Sequence, residues 1–284
     1  MHPSDLDRIV DTDSYPIGDL GDARTRQVIG EGRASLQQRG VAILPGFIRA
    51  DALDAVCIDA LGVKAAAHLQ DAYGTAYLGP PDPAFPEGHP RRAPQHSRTW
   101  VLAYDLVPAS DPLRRLYEWD GLTAFLAELL DRRPLYRMAD PLGALNLTVM
   151  EAGHVQGWHY DSTDFVVSIA VQSSDAGGEF ECARDIRHAD DEHYDEVARV
   201  LAGDVDDLVR VYPMTPGTLM VFMGRCSLHR VAPVAGARPR IVGLFGYDTR
   251  PDTNSDDTLK QARYGRIEPA GVEHSSGAHG SVTT

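Results

Sequence analysis

After residue 134 the sequence changes character, and short apolar runs begin to alternate with turns. The runs are rich in Val, Ile, Leu and Phe, and Gly, Pro or Asp residues separate them. Runs of this length and composition predict β-strands. We place the strands near residues 144–150, 165–172, 178–182, 208–212, 218–223, 228–231 and 240–247. This set predicts a double-stranded β-helix (jelly roll), with a small barrel as the alternative.

The residues before 134 are predicted to form a helical support for this β region. Apolar residues at helical spacing indicate helices at about 22–38, 50–70 and 112–130. Residues 79–98 contain six prolines, which exclude a regular helix and predict a long loop. The fold class is therefore mainly β with flanking helices (α+β).

The length of 284 residues is compatible with one large domain that carries extensions. We predict a single jelly-roll domain over 21–264, with the helical support at 21–133 and the β core at 134–250. Residues 1–20 and 265–284 are polar and show no periodicity. Both ends are therefore predicted to be flexible.

The charge balance and the absence of targeting signals exclude several classes of partner. The chain has 27 Lys and Arg against 41 Asp and Glu, a net charge of −14, which repels phosphate backbones and anionic lipids. No apolar run approaches the roughly 18 residues of a membrane span, and the first residues do not resemble a signal peptide. We expect a cytoplasmic protein that binds neither nucleic acid nor membrane.

A candidate metal site begins at the motif His159-Tyr-Asp161. On extended backbone, residues two apart point the same way, so the imidazole of His159 and the carboxylate of Asp161 can face one ion. A third ligand has to come from another strand, and the run at 228–231 supplies His229. Two histidines and one carboxylate on one face, with the other positions open, suit non-haem Fe(II) oxygen chemistry.

A strand arginine follows these candidate ligands. Arg240 begins the last predicted strand, which would direct its guanidinium into the same interior. A buried permanent charge needs an anion, and a dicarboxylate that chelates the metal at one end would provide it. Arg238 is the alternative, but it precedes Pro239 in turn-like sequence, and we favour Arg240.

Together these residues resemble the Fe(II)/2-oxoglutarate-dependent oxygenase superfamily. The resemblance covers about 140–250 and includes GGEFE at 177–181, PGTLMVF at 216–222 and SLHRVAPVAGARPRIVGLFGYD at 227–248. The segments GWHYDSTDF, TAYL and FPEGHPR further resemble a bacterial subgroup that hydroxylates or halogenates free amino acids.

The resemblance implies a role for each matching residue. His159, Asp161 and His229 would ligate Fe(II), 2-oxoglutarate would chelate the metal, and one position would remain for O2. Arg240 would pair with the distal carboxylate of 2-oxoglutarate. Many members carry a Ser two residues after this Arg, where this chain has Val242, so Asn146 or Thr148 would supply the remaining contacts.

Asp161 also bears on the reaction outcome. In halogenating relatives a Gly or Ala takes this place and leaves a coordination position for chloride. The resemblance therefore implies hydroxylation, while desaturation and cyclisation stay open because substrate placement selects among them.

The substrate residues are less readable from the sequence. A free amino acid needs a cation for its carboxylate, acidic groups for its amines and apolar walls. Our candidates are Arg98 for the carboxylate, with Tyr104 beside it and Arg91 and Arg92 as rivals, Trp158 as a wall, and Asp164 or Asp105 for an amine. Residues 185–207 form an acidic segment that is either a lid over the substrate or a solvated helix.

Three functional hypotheses follow from these residues. The first is a 2-oxoglutarate-dependent hydroxylase of a free, basic amino acid. The second keeps the chemistry but uses a carrier-tethered amino acid, a peptide or another natural-product intermediate. The third is a jelly-roll binding protein whose His and Asp are structural, or a cupin-like metal protein that does not use 2-oxoglutarate. A homodimer is the candidate assembly.

Overall fold

A computed structural model describes residues 1–204 and 207–270 of the chain. The helices of this part are α1 (Pro3–Ile9), α2 (Ala23–Arg39), α3 (Ala50–Val63), α4 (Pro112–Glu118), α5 (Asp120–Leu130), α6 (Tyr194–Leu201) and α7 (Asp257–Tyr264). None of the helices in these residues is long and apolar enough to cross a membrane.

The strands are short and follow one another closely after residue 134. They are β1 (Val41–Leu44), β2 (His68–Gly74), β3 (Gln95–Leu102), β4 (Tyr136–Arg137), β5 (Leu145–Met150), β6 (Val155–His159), β7 (Val166–Gln172), β8 (Ala176–Gly177), β9 (Phe180–Ala183), β10 (Arg210–Tyr212), β11 (Leu219–Phe222), β12 (Leu228–Val231), β13 (Val234–Ala235), β14 (Arg240–Phe245) and β15 (Tyr247–Asp248).

Eleven of the described strands form one antiparallel sheet. Its order is β1-β11-β7-β14-β5-β3-β6-β12-β9-β10, and β2 pairs with β3 beside this path. The sheet curls so that its two halves face each other, with β3 paired to β5 in one half and to β6 in the other. This arrangement confirms the predicted jelly roll with its helical support.

The two faces of the half formed by β1, β11, β7, β14 and β5 differ in chemistry. Because alternate strand residues point to opposite faces, Leu147, Ile169 and Ile241 pack into the main core under α1 to α5. The intervening residues point into the space between the two halves. They include polar side chains that the structure buries, among them Asn146, Thr148, Ser168 and Arg240. The candidate site lies in this interior.

Each predicted strand is present, but the structure adds strands and divides one helix. β3 begins at Gln95, inside the segment predicted as loop, and β6 was not predicted. The helix predicted at 112–130 is two helices, because Trp119 is extended between α4 and α5. Its ring lies where a Cβ on Gly121 would overlap it, so the glycine allows the break.

The first residues of the chain differ from the flexible end that composition predicted. They form α1 and bury four apolar side chains in the main core: Leu6, Ile9, Val10 and Ile17. Val10 also forms a β-bridge with Ile48. Four core residues among many polar ones leave little periodicity in the sequence, which explains the error. Of the tail predicted at 265–284, residues 271–284 lie outside the described residues, and the division into domains stays a prediction.

Candidate metal centre

A bulge in β6 directs the first candidate ligand. His159 pairs with His229 and Gln156 pairs with Val231, so three steps on β6 match two steps on β12. One extra residue in a strand re-aims the side chains that follow it. His159 therefore points into the interior, whereas Trp158 packs in a cluster on the outer face. Gly157 fits this bulge because a Cβ there would lie 2.7 Å from the carbonyl oxygen of His96.

The structure brings the three predicted ligands together. One ligand atom from each of His159, Asp161 and His229 lies within 4.8 Å of the others. The Nε2 atom of His229 is 3.2 Å from Oδ2 of Asp161, and Nε2 of His159 is 3.9 Å from Oδ1 of Asp161. The rings of Phe180 and Phe222 pack against His229 at centroid distances of 5.7 and 4.8 Å and keep its side chain away from solvent.

The backbone sets the tautomer of both histidines. Nδ1 of His159 donates to the carbonyl of Gly157 at 2.8 Å, and Nδ1 of His229 donates to the carbonyl of Ser227 at 2.9 Å. Since a carbonyl oxygen can only accept, the proton of each neutral ring sits on Nδ1. Nε2 then carries a lone pair toward the other ligands, the orientation that outer hydrogen bonds give to metal-binding histidines.

The protonation equilibria of the three groups also suit a cation. Burial lowers the pKa of His159 to about 4, with help from the nearby His229. Burial alone would raise the pKa of Asp161, but His229 and His159 hold it below its ordinary value. Burial opposes charge on His229 as well, yet Asp161 raises its pKa. The carboxylate thus favours positive charge between itself and His229, where a metal ion would replace the proton.

The space around Asp161 fits a ligand that is not a protein atom. Its Oδ2 is buried and has no hydrogen-bond partner in suitable geometry among the described residues. The backbone N–H of Asp161 donates to the carbonyl of Gly224 at 3.1 Å. A Cβ on Gly224 would overlap Oδ2, so only glycine leaves room for the carboxylate. Two imidazole nitrogens and one carboxylate oxygen could hold an iron ion here.

Gln156 also belongs to this centre, although no sequence signal pointed to it. The bulge turns its side chain to the interior, where Nε2 of its amide lies 3.1 Å from Nε2 of His159. Such a position depends on the irregular strand, which periodicity does not show.

Arg240 lies in the same interior, toward the other end of β14. Arg240 is only 7% exposed, and its guanidinium forms no hydrogen bond or ion pair with any of the described residues. Burial lowers the pKa of Arg240 to about 10, so the guanidinium stays charged near neutral pH. It lines a cavity of about 220 Å³ together with Ala170, Gln172, Phe180, Tyr212 and Val242. By contrast, Arg238 is exposed, and its Nε lies 3.5 Å from Oδ1 of Asp175.

Asn146 and Thr148 are buried in the interior, but their polar atoms are occupied. Asn146 donates to the carbonyl of Leu142 at 2.8 Å, and its Oδ1 accepts from the Tyr264 hydroxyl at 2.9 Å and from Nε of Arg263 at 3.3 Å. Thr148 donates to the carbonyl of Val242 at 3.3 Å. These bonds tie Asn146 to α7 and Thr148 to β14.

The structure does not bring the predicted substrate residues to the metal ligands. Arg98 and Trp158 are on outward faces of their strands, Arg98 beside Asp71 and Trp158 under the guanidinium of Arg230. Asp164 is exposed and pairs with Arg225 at 2.5 Å. Tyr104 donates to Glu118 and packs against the helical support. Proximity along the sequence suggested these residues, and strand alternation turns Arg98 and Trp158 away from the site.

The rival candidates are also engaged elsewhere. Arg91 donates to the hydroxyl of Tyr194 at 2.7 Å, and Arg92 donates to the carbonyl of Phe85 at 3.1 Å. Asp105 accepts from Arg266 at 2.7 Å.

The acidic segment at 185–207 covers the outside of the barrel. Val197 and Val200 of α6 pack with Trp158 and Leu228 on the outer face of β6 and β12. Residues 205 and 206 of this segment lie outside the described residues. Its described part therefore supports the ligand strands from behind, which differs from both alternatives that the sequence left open, a lid and a solvated helix.

Several solved structures share this fold. HygX from Streptomyces hygroscopicus, solved with nickel, 2-oxoglutarate and hygromycin B bound, aligns with a TM-score of 0.53 and 13% identity over 84% of this chain and 96% of HygX. A Trichoplax adhaerens prolyl hydroxylase in complex with a hypoxia inducible factor peptide fragment gives 0.52 and 11% over 79% and 91%. The α-ketoglutarate-dependent epimerase SnoN from nogalamycin biosynthesis gives 0.52 and 14% over 78% and 83%. The chain has the fold of the Fe(II)/2-oxoglutarate-dependent oxygenases.

A family model narrows the assignment. Residues 90–264, more than half of the chain, match the family described as Halogenase D. The protein belongs to this family. A search of curated proteins found no match.

Proposed function

We propose that the protein is an Fe(II)/2-oxoglutarate-dependent dioxygenase that hydroxylates an unactivated C–H bond. The observation that carries the proposal is the buried, unpaired guanidinium of Arg240 in the same interior as His159, Asp161 and His229. A cupin-like metal protein would have no use for this cation. A dicarboxylate that reaches from the metal to Arg240 would neutralise it through a bidentate pair.

The residues divide the work between holding the metal and holding the co-substrate. Bound Fe(II) would supply the activation of O2. The backbone carbonyls of Gly157 and Ser227 hold the proton of each neutral ring on Nδ1, so that both Nε2 atoms would be available to the metal. The phenylalanine rings around His229 exclude water from one side. Arg240 would bind the distal carboxylate of 2-oxoglutarate. In the overall reaction, 2-oxoglutarate loses its other carboxylate as CO2 and becomes succinate with one atom of O2, while the second atom of O2 becomes the new hydroxyl of the substrate.

Asp161 supports hydroxylation over halogenation, despite the name of the family. Its carboxylate occupies the position that halogenating relatives leave to chloride, and Gly224 makes room for it. A halide would have to displace an ionised ligand whose lowered pKa keeps it charged.

We propose a free, basic amino acid or a close derivative as the substrate, in the cytoplasm. The net charge of −14 favours a cationic small molecule, and the resemblance to amino acid hydroxylases supports the same class. A larger natural-product intermediate is the second candidate, since HygX holds hygromycin B on this fold.

The test is succinate formation by anaerobically purified protein supplied with Fe(II), 2-oxoglutarate and O2, across free amino acids, with mass spectrometry of each product. We expect one amino acid to accelerate succinate formation and to gain one oxygen.

Arg240→Gln should raise the KM for 2-oxoglutarate by about 30-fold or more, because a buried charge pair loses one partner. The control Arg238→Gln removes a nearby exposed charge and should leave this KM unchanged. Equal KM values in the two variants would contradict the role of Arg240.

A further inference from the structure

A second arginine in the interior has no acidic partner among the described residues. Most of the arginines lie within ion-pair distance of a carboxylate. Arg263 of α7 is half-buried, yet no carboxylate of the described residues pairs with it. Its Nε donates to Oδ1 of Asn146 at 3.3 Å. The other N–H groups of the planar fork remain available to an anion.

The strand register places this arginine at the metal end of the interior. Asn146 pairs with Leu244, and Leu244 pairs with Ser168 of β7. Two residues further along β7, Val166 pairs with Phe222, whose ring contacts His229. Asn146 and the guanidinium that it holds therefore lie on the half-sheet opposite the metal ligands.

Arg240 lies at the other end of the same strands. It pairs with Met150, which packs with Val231 and Val234 away from the ligands. Asn146 is four residues from Met150 on β5, or roughly 13 Å at 3.3 Å per residue. One carboxylate cannot bridge this distance, so the interior offers two separate places for an anion.

The position of Arg263 is rigid enough to select a ligand. Tyr264, the next residue, is buried against Val101, Ala103 and Leu142 and donates to the same oxygen of Asn146. A guanidinium held in this way loses little side-chain entropy when it binds a carboxylate.

We propose that Arg263 binds the carboxylate of the organic substrate, so that the substrate is a small molecule with a free carboxylate. This inference rests on the proposed function. It distinguishes two substrate classes, because an amino acid tethered to a carrier as a thioester has no free carboxylate. Arg240 takes 2-oxoglutarate and Arg263 takes the substrate, one at each end of the interior.

The experiment measures succinate formation with L-arginine, L-lysine and L-ornithine and with the carboxamide of each as probes. Wild-type protein should respond to at least one free acid, and the matching carboxamide should have a KM about 30-fold or more higher. Arg263→Gln should raise the KM for the free acid to a similar extent and leave the KM for 2-oxoglutarate unchanged. Arg263→Lys should recover part of the loss. The control Arg266→Gln removes a guanidinium that pairs with Asp105 and should leave both KM values unchanged.

Three results would overturn the inference. They are a carboxamide as effective as its acid, an Arg263→Gln variant that raises the KM for 2-oxoglutarate as Arg240→Gln does, and a wild-type protein that consumes 2-oxoglutarate but responds to none of the acids. The first two leave the proposed function standing, and the third keeps the use of 2-oxoglutarate but removes the free basic amino acid as the substrate. Absence of any succinate from Fe(II)-loaded wild-type protein would instead remove the proposed function, and this inference with it.

Discussion

Gly224 determines whether Asp161 can serve as a ligand. The glycine follows β11, and its carbonyl accepts from the backbone of Asp161. No side chain fits between the two, because a Cβ would overlap the carboxylate. The position of the Asp161 carboxylate therefore depends on Gly224, although the glycine lies 63 positions later in the sequence.

Gly224→Ala should displace the carboxylate and weaken metal binding by about 10–100-fold, the range known for changes just outside a metal's ligands. Anaerobic titration with Fe(II) measures the effect. Gly30→Ala is the matched control, since a Cβ on this helical glycine meets nothing within 4 Å. If the two variants bind Fe(II) equally well, the close approach of Gly224 to Asp161 is not required for the site.

The sequence could predict the ligands because their signal is local. His159 and Asp161 are two residues apart, and His229 lies in an apolar run that reads as a strand. Arg263, which we propose to bind the substrate carboxylate, is a different case. Asn146 and Arg263 meet across 117 residues, and nothing in either neighbourhood indicates the contact.

Among the helices, α4 begins at a carboxylate, Asp111, whose burial opposes its ionisation. Asp111 accepts from the backbone N–H groups of Leu113 and Arg114 at 2.8 and 3.0 Å, which caps the helix. Its other oxygen, Oδ2, is buried without a hydrogen bond among the described residues. Burial raises the pKa of Asp111 to about 6 despite the two backbone bonds.

A raised pKa on a carboxyl group means that ionisation opposes folding. The contribution of Asp111 to stability is full below its unfolded pKa of about 4 and is lost as the pH rises through about 6. Asp111→Asn keeps the capping oxygen and removes the charge. Its free energy of unfolding should exceed that of the wild type by at most about 3 kcal/mol at pH 8, and the advantage should shrink toward pH 5.

Urea unfolding at pH 5 and pH 8 measures this difference. Asp22→Asn, at the partly exposed start of α2, is the control for the loss of a capping charge. A variant Asp111→Asn that is equally destabilised at both pH values would show that burial of the charge is not the cause.

The strands were predictable to a different degree on the two sides of the barrel. β5, β7, β11 and β14 are buried on both faces and appear as continuous apolar runs. β6 contains a bulge, a glycine and three polar or aromatic residues, and no regular period describes it. Because Trp158 is adjacent to His159 in sequence, it suggested a wall of the site, but the strand turns it outward.

At the scale of the whole molecule, the metal centre joins parts of the chain that lie far apart in the sequence. Two of the candidate ligands lie on β6 and β12, and the third, Asp161, lies two residues after β6 and is accommodated by Gly224. Helix α7 lies on the opposite side. A bound ion connects these parts only in the folded state, so metal binding should stabilise the entire fold.

Metal and 2-oxoglutarate should therefore raise the unfolding midpoint together. At a ligand concentration of 100 times Kd, the gain is about 2.7 kcal/mol. This corresponds to roughly 5–10 °C for a chain of this size. Scanning fluorimetry with Ni(II) and 2-oxoglutarate measures the shift, and His229→Ala should show none. A shift of equal size in His229→Ala would place the binding elsewhere.

The bulge of β6 also limits how this protein can diverge over evolutionary time. Loss of the bulge at constant length would restore regular alternation over these residues, which would turn the imidazole outward and bring the indole of Trp158 into the cavity. Mutation can exchange residues in this strand, but a change that straightens it without shortening it would cost the protein its chemistry in one event. The proline-rich loop at 79–94 carries no such constraint and is where lineages can gain or lose residues.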